Sequence, residues 1–220
     1  MVSRTGSGKR YEAKTVTPEQ MVVILNELNQ PETRLEGTAA LVHAATGLRP
    51  EEAFGLKWED IDWQVGQIHI RRGWSKGRET EGKTEGSMTQ VAMHQALADA
   101  LRAWRRESVY SGDGDWVFAS TRSKGRTPRC SGIAGQDYLR PAAVKAGVIP
   151  EGYKGRFGWH NLRHSLATFL AGEFEIGVIQ SMLRHTKPTT TAIYLHRVNS
   201  VQMAAQETFL DAIKVTSTVT

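Results

Sequence analysis

The chain has 220 residues, a hydrophobic fraction of 40%, 28 lysines and arginines against 23 acidic residues, and a net charge of +5. That length buries a real core, as one large domain or two small ones, and no apolar run is long enough for a membrane-spanning helix. A single cysteine, Cys130, excludes an internal disulfide framework and a thiolate zinc site, and it fits a reducing, cytoplasmic compartment.

Residues 1–16 are polar, basic and rich in Gly and Ser. They lack the apolar stretch of a secretory signal and read as a flexible arm or linker. Thr17-Pro18-Glu19-Gln20 opens the first helix, with Thr17 as cap, Pro18 in the first turn and Gln20 closing a capping box. Met21, Ile24, Leu25 and Leu28 supply its apolar face, and Pro31 ends it. Leu35 to Ala45 reads as a second helix stopped by Gly47, and Pro50 to Leu56 as a short third one. The period then changes. Ile68–Arg71 and Met88–Met93 alternate as strands of a small antiparallel sheet, and Gly73–Gly86 reads as one long, charged, Gly-rich turn between them.

His94 to Arg106 is the next helix, Trp116-Val117-Phe118 a short buried strand-like segment, and Ser123–Pro128 a polar loop. Ser131 to Ala146 reads as one helix kinked at Pro141, followed by a Gly-rich loop over 147–158. A helix then runs from Trp159 to Ala171, with Leu162, Leu166, Phe169 and Leu170 turned into a core. Ile176 to Leu183 is helical, a turn passes through Pro188, and a further helix carries Tyr194. Gln202 to Ile213 is a last amphipathic helix before the tail. The expected class is mainly α with a small antiparallel β-sheet, α+β, without internal repeats.

Charge is uneven along the chain. Arg122, Lys124, Arg126, Arg129, Arg140, Lys145, Lys154 and Arg156 precede Arg163, against Asp137 and Glu151 alone. Such a stretch favours a polyanion, although a solvated basic surface has the same composition. Arg122, Lys124, Arg126, Arg129, Lys154 and Arg156 of this stretch, with Arg184 further on, are the candidate contacts to such a polyanion.

His160 and Arg163 lie three residues apart on one helix, so they can address one target. A guanidinium fork suits a phosphate, and an imidazole moves a proton near neutral pH. Leu183-Arg184-His185 follows, with Tyr194 nine residues after His185; upstream stands Thr46-Gly47-Leu48-Arg49-Pro50-Glu51-Glu52. Taken singly, these are a core histidine, an ion-pairing arginine and a packing tyrosine. Jointly, they are a kit for breaking a phosphodiester without a metal or other cofactor.

Arg49 in Thr-Gly-Leu-Arg, His160-x-x-Arg163, and Leu183-Arg184-His185 followed by Tyr194 resemble the signature of the tyrosine recombinases, the phage integrase family. The resemblance extends from about Thr17 to His196. It implies a lysine on a β-hairpin, and Thr80-Glu81-Gly82-Lys83-Thr84-Glu85-Gly86-Ser87 is similar to that motif, which selects Lys83 over Lys76 or Arg78. The resemblance further implies that Tyr194 is the nucleophile, that Arg49 and Arg163 clamp the non-bridging oxygens, and that His160 accepts the phenol proton. Lys83 would then protonate the leaving 5′-oxygen and His185 hydrogen-bond the phosphate. Glu52, three after Arg49, can orient that arginine through its carboxylate.

Two positions depart from the family pattern: Arg184 stands where glycine is usual, and Thr89 where arginine often follows the hairpin serine. The resemblance implies double-stranded DNA as partner, a tetramer on DNA, accessory DNA-bending or directionality proteins, no membrane, and a bacterial or phage-encoded, DNA-associated protein. It divides the chain into an arm at 1–16, a catalytic domain at 17–200, and a C-terminal helix and tail at 201–220 that docks on a neighbouring protomer. It also marks the chain as the catalytic part of a longer integrase. Two other readings share these residues: a type IB topoisomerase-like enzyme, and a non-catalytic DNA-binding module with the same fold.

Overall fold

The computed structural model describes residues 14–81, 89–172 and 174–183. Helix α1 (Pro18–Glu27) starts as its cap residues require: the Thr17 hydroxyl accepts from the Gln20 amide at 3.3 Å, and the Gln20 side chain accepts from the Thr17 amide at 3.0 Å. Helix α2 (Arg34–Thr46) is the centre of the packing, touching α1, the short α3 (Pro50–Phe54), α4 (Gln95–Glu107) and α7 (Trp159–Leu170). Its neighbours on several sides explain why most of its residues, His43 and Glu36 included, are buried.

The sheet is antiparallel and small. Strand β2 (Gln67–Ile70) lies between β1 (Ile61–Asp62) and β5 (Thr89–Ala92), with Ile68 opposite both Ile61 and Val91. These three residues face the core together, as a period of two requires. The expected long turn between β2 and β5 is not all turn. Arg72–Ser75 (β3) and Arg78–Glu81 (β4) form a separate two-stranded hairpin, with Trp74 opposite Glu79 and Ser75 opposite Arg78. Its polar, Gly-rich composition hid it, because Trp74 packs edge-on against Trp116 at 5.3 Å and anchors the hairpin through tertiary contact.

The expected single helix over 131–146 is also corrected. The chain forms α5 (Ser131–Ala134), one π-type turn over Gly135–Leu139, and α6 (Arg140–Lys145). Pro141 has no N–H for the carbonyl four residues back, so the regular ladder cannot run through it. The Trp159 indole donates to the Ser131 carbonyl at 2.7 Å and holds the start of this segment.

Two apolar clusters result. The main one joins Ile24, Phe54, Trp58, Ile68, Leu101, Phe118 and Leu162. A smaller one, Ala167, Ala171, Ile179 and Leu183, packs the end of α7 on α8 (Ile176–Leu183), with Leu166 and Leu170 against it. Phe169, expected in the core, is instead 50% exposed, because the last turn of α7 gives its Leu166–Leu170 side to α8. Among the described residues, no helix is long and apolar enough to cross a membrane.

Candidate active site

Helix α2 ends at Gly47, whose φ of +64° caps it. A Cβ at Gly47 would lie 2.6 Å from Leu183 Cδ2 and 3.2 Å from Leu166 Cδ2, so packing also demands glycine. The chain reverses at once into α3, with Arg49 as its N-cap residue and Pro50 in its first turn. Glu52 holds both ends of Arg49: one carboxylate oxygen accepts the Arg49 amide at 2.8 Å and the other accepts Arg49 Nη1 at 2.9 Å. The orienting carboxylate expected from the three-residue spacing is therefore in place, and the Arg49 side chain remains 36% exposed.

Arg163 is held differently. It is 6% exposed, and its two terminal nitrogens donate to the carbonyls of Gly47 and Leu183. One guanidinium thus joins the turn that carries Arg49, its own helix, and the residue directly before Arg184 and His185. His160, one turn earlier on α7, is exposed at the start of the helix. Gly158 precedes that start, and the Asn161 side chain accepts the Gly158 amide at 3.0 Å. His160 and Arg163 thus share a helix but not an environment: one is open and the other sits beneath the Arg49 turn.

His160 lines a cleft of about 630 Å³ together with Pro50, Trp74, Lys76, Pro128 and Trp159. Two basic loops border it. Thr127 and Phe157 line the cleft, and the exposed Arg126 and Arg156 stand next to them in sequence. Arg122 and Lys124 are exposed in the same loop as Arg126, and Lys154 is exposed in the same loop as Arg156. Arg129 is less open: it donates to Glu36 at 3.0 Å and lies over the Tyr138 ring. Burial pushes the Glu36 carboxyl up, and the Arg129 charge opposes that shift.

Behind the cleft lies a histidine that the sequence motifs do not mark. His43 is fully buried, stacks on Trp159 at 4.8 Å, and hydrogen-bonds the Ala39 carbonyl through Nδ1 at 2.7 Å. Burial lowers its pKa to about 4, the Ala39 bond partly opposes this, and the His160 charge adds to the lowering. The ring is neutral at neutral pH. His164 shifts the same way, through burial first and then the charges of His160 and Arg163.

Lys83, Arg184, His185 and Tyr194 lie outside the described residues, as does the helix expected over 202–213. Arg49, Glu52, His160 and Arg163 are the expected site residues that the described fold brings together.

The sequence profile of the phage integrase family matches residues 14–200. The tyrosine recombinase XerC of Halalkalibacterium halodurans is 26% identical over 199 residues, covering 89% of this chain and 62% of that protein. The tyrosine recombinase XerA of Pyrococcus furiosus is 28% identical over 185 residues, covering 82% and 56%. The chain thus spans between half and two thirds of these relatives' length. Among solved structures, the Tn1549 transposon integrase in complex with circular intermediate DNA superposes with a TM-score of 0.70 at 20% identity, over 84% of this chain and 63% of that one. The XerA recombinase crystal structure gives 0.64 at 25% identity, over 92% and 67%. With this profile match, these neighbours and this arrangement of Arg49, His160 and Arg163, the chain belongs to the phage integrase family and has the catalytic domain of a tyrosine recombinase.

Proposed function

We propose that the protein is a site-specific DNA recombinase or integrase that cuts and rejoins DNA strands through a 3′-phosphotyrosyl intermediate on Tyr194, without metal or ATP. The observation that carries this reading is the Arg163 guanidinium. It joins the carbonyl two residues before Arg49 to the carbonyl two residues before His185.

In this mechanism the Tyr194 phenolate oxygen attacks the scissile phosphorus, and the bond from phosphorus to the 5′-oxygen breaks. A phenol has a pKa of about 10, so it needs a base or a cationic field to attack at neutral pH. His160, exposed at the cleft, accepts its proton. Lys83 donates a proton to the departing 5′-oxygen. Arg49, oriented by Glu52, and Arg163 stabilise charge on the non-bridging oxygens, and His185 hydrogen-bonds the same phosphate. The phosphotyrosyl bond conserves the energy of the broken diester, so an incoming 5′-hydroxyl reverses the step. Arg122, Lys124, Arg126, Lys154 and Arg156 hold flanking backbone, with Arg129 and Arg184 contributing where they reach it.

The partner is double-stranded DNA. The Tn1549 integrase, XerH and lambda integrase neighbours were all solved with DNA. A tetramer on DNA and accessory DNA-bending proteins complete the proposal, with residues 201–220 docking between protomers.

The test is covalent trapping on a nicked suicide duplex, with the adducted residue mapped by mass spectrometry. The expected result is a DNA adduct on Tyr194 that forms in excess EDTA and is lost in Tyr194→Phe, with DNA binding retained. An adduct elsewhere, or none from the wild type on any cognate duplex, overturns the reading.

A further inference from the structure

The β3–β4 hairpin has no part in the chemistry just described, yet its tip opens on the same cleft as His160. The tip is a two-residue turn, Lys76–Gly77, with φ of 53° and 77°. Positive φ at both central residues is the hairpin geometry that asparagine-glycine favours. A lysine in the first place brings its Cβ close to the following carbonyl oxygen. The turn therefore carries its charge against its local preference, and an observed backbone outlier of this kind is a pointer to function.

The hairpin is also pinned. A Cβ on Gly55, at the end of α3, would stand 2.9 Å from Gly73 Cα, so α3 and β3 meet backbone to backbone. Arg72 pairs with Asp60 at 2.5 Å and Glu59 at 3.3 Å, and Trp74 meets Trp116. Helix α3 begins directly after Arg49. The tip is thus indexed to the Arg49 turn through rigid contacts, as a positioning arm must be.

The charged side chains lining the cleft, among the described residues, are Lys76 and Glu51. Glu51 makes the cleft unsuitable as a general anion bowl. An extended polyanion that brings one phosphate to His160 meets a cationic contact at the hairpin tip, in addition to the basic loops that border the cleft. Lys76 is exposed there and forms no ion pair among the described residues.

We propose that Lys76 binds a DNA backbone phosphate flanking the scissile one, making the β3–β4 hairpin a DNA-holding arm distinct in role from Lys83. This rests on the recombinase reading above. Lys76 acts as a point charge in binding, and Lys83 keeps the proton-transfer role.

The test compares the full chain with Lys76→Asn and Lys76→Arg on a nicked cognate duplex. Asparagine removes the charge while suiting the turn, so thermal stability is retained or raised. For Lys76→Asn, the slope of log affinity against log salt should flatten by about 1, with weaker binding at low salt. Lys76→Arg should restore the slope. A substrate with sulfur in place of the leaving 5′-oxygen needs no proton, and the Lys76→Asn defect should persist on it. Full rescue by sulfur would make Lys76 the acid and overturn the proposal. An unchanged slope and affinity in Lys76→Asn, with the wild type binding in a salt-dependent way, would overturn it and leave the recombinase reading standing. A wild type that neither binds nor cleaves DNA would instead sink both.

Discussion

The main core and the small cluster at the end of α7 hold two parts of the proposed site, with unequal numbers of buried apolar side chains among the described residues. The main core fixes the Arg49 turn and the start of α7 through large side chains such as Phe54, Trp58, Phe118 and Leu162. The small cluster holds α8, which leads toward His185 and Tyr194, with Ala167, Ala171, Ile179 and Leu183. Segments with few buried apolar contacts open at lower free energy than the core. The comparison teaches that Arg49 and the start of α7 sit on the large core, whereas α8 rests, among the described residues, on a cluster of four buried apolar side chains. Arg163 is the polar link between the two.

Breaking that link should have the largest effect. Arg163→Ala removes the proposed transition-state donor and takes one hydrogen-bond partner from each of the Gly47 and Leu183 carbonyls. Cleavage of a nicked duplex should fall at least about 10³-fold, and unfolding free energy by roughly 3 kcal/mol. Denaturant unfolding and adduct formation measure the two; loss of cleavage at unchanged stability would show that the carbonyl bonds hold little.

Acid should weaken the rigid side next. His43 has a folded pKa of about 4, well below the ordinary histidine value near 6.5. Between those values the unfolded chain binds a proton that the folded one refuses. Stability should therefore fall as pH drops from about 6.5 to about 4 and level off below, by roughly 3 kcal/mol from this group. His164 contributes with the same sign. His43→Phe, which keeps a ring on Trp159, should flatten most of that slope in denaturation measured across pH. An unchanged slope would place the acid sensitivity elsewhere.

Ile179→Ala sharpens the comparison directly. A deleted core side chain of this size costs about 2–4 kcal/mol, but here the loss should stay local. Hydrogen exchange should speed up at residues 176–183 while amides of α2 keep their protection. Equal acceleration in both regions would merge the two clusters into one cooperative unit.

The smallest effect is expected at Glu52→Gln. The Arg49–Glu52 pair is partly exposed, so its charge is worth about 0.5 kcal/mol to folding. Its effect should appear in catalysis instead, as a several-fold lower single-turnover cleavage rate with DNA affinity little changed. A drop in affinity with an unchanged rate would reassign Glu52 from orienting Arg49 to shaping the binding surface.

Much of the frame was legible because its causes are local. The Thr17 capping box, the Gly47 stop and the Arg49–Glu52 spacing each involve residues within one turn, where the physics of a helix end acts on neighbours in the chain. The alternation of Ile68 and Val91 marked the sheet for the same reason. The hairpin β3–β4 was not legible, since its polar strands are held by Trp116 and Asp60 from other segments. The break in the helix after Ser131 shows the mixture: Pro141 announced a disturbance, but the indole of Trp159, 28 residues away from Ser131, holds the segment in place.

The amino-acid sequence by itself determined most of the element types, though not the β3–β4 hairpin or the break after Ala134, together with the order of the motif residues and the family to which they belong. Tertiary structure decided that Arg163 reaches the Gly47 carbonyl across 116 positions, that Arg129 is paired with Glu36 across 93, and that His43 lies under Trp159. The physical reason is range. Propensity, capping and periodicity act over a few residues, whereas burial and charge pairing depend on which distant segments the core brings together.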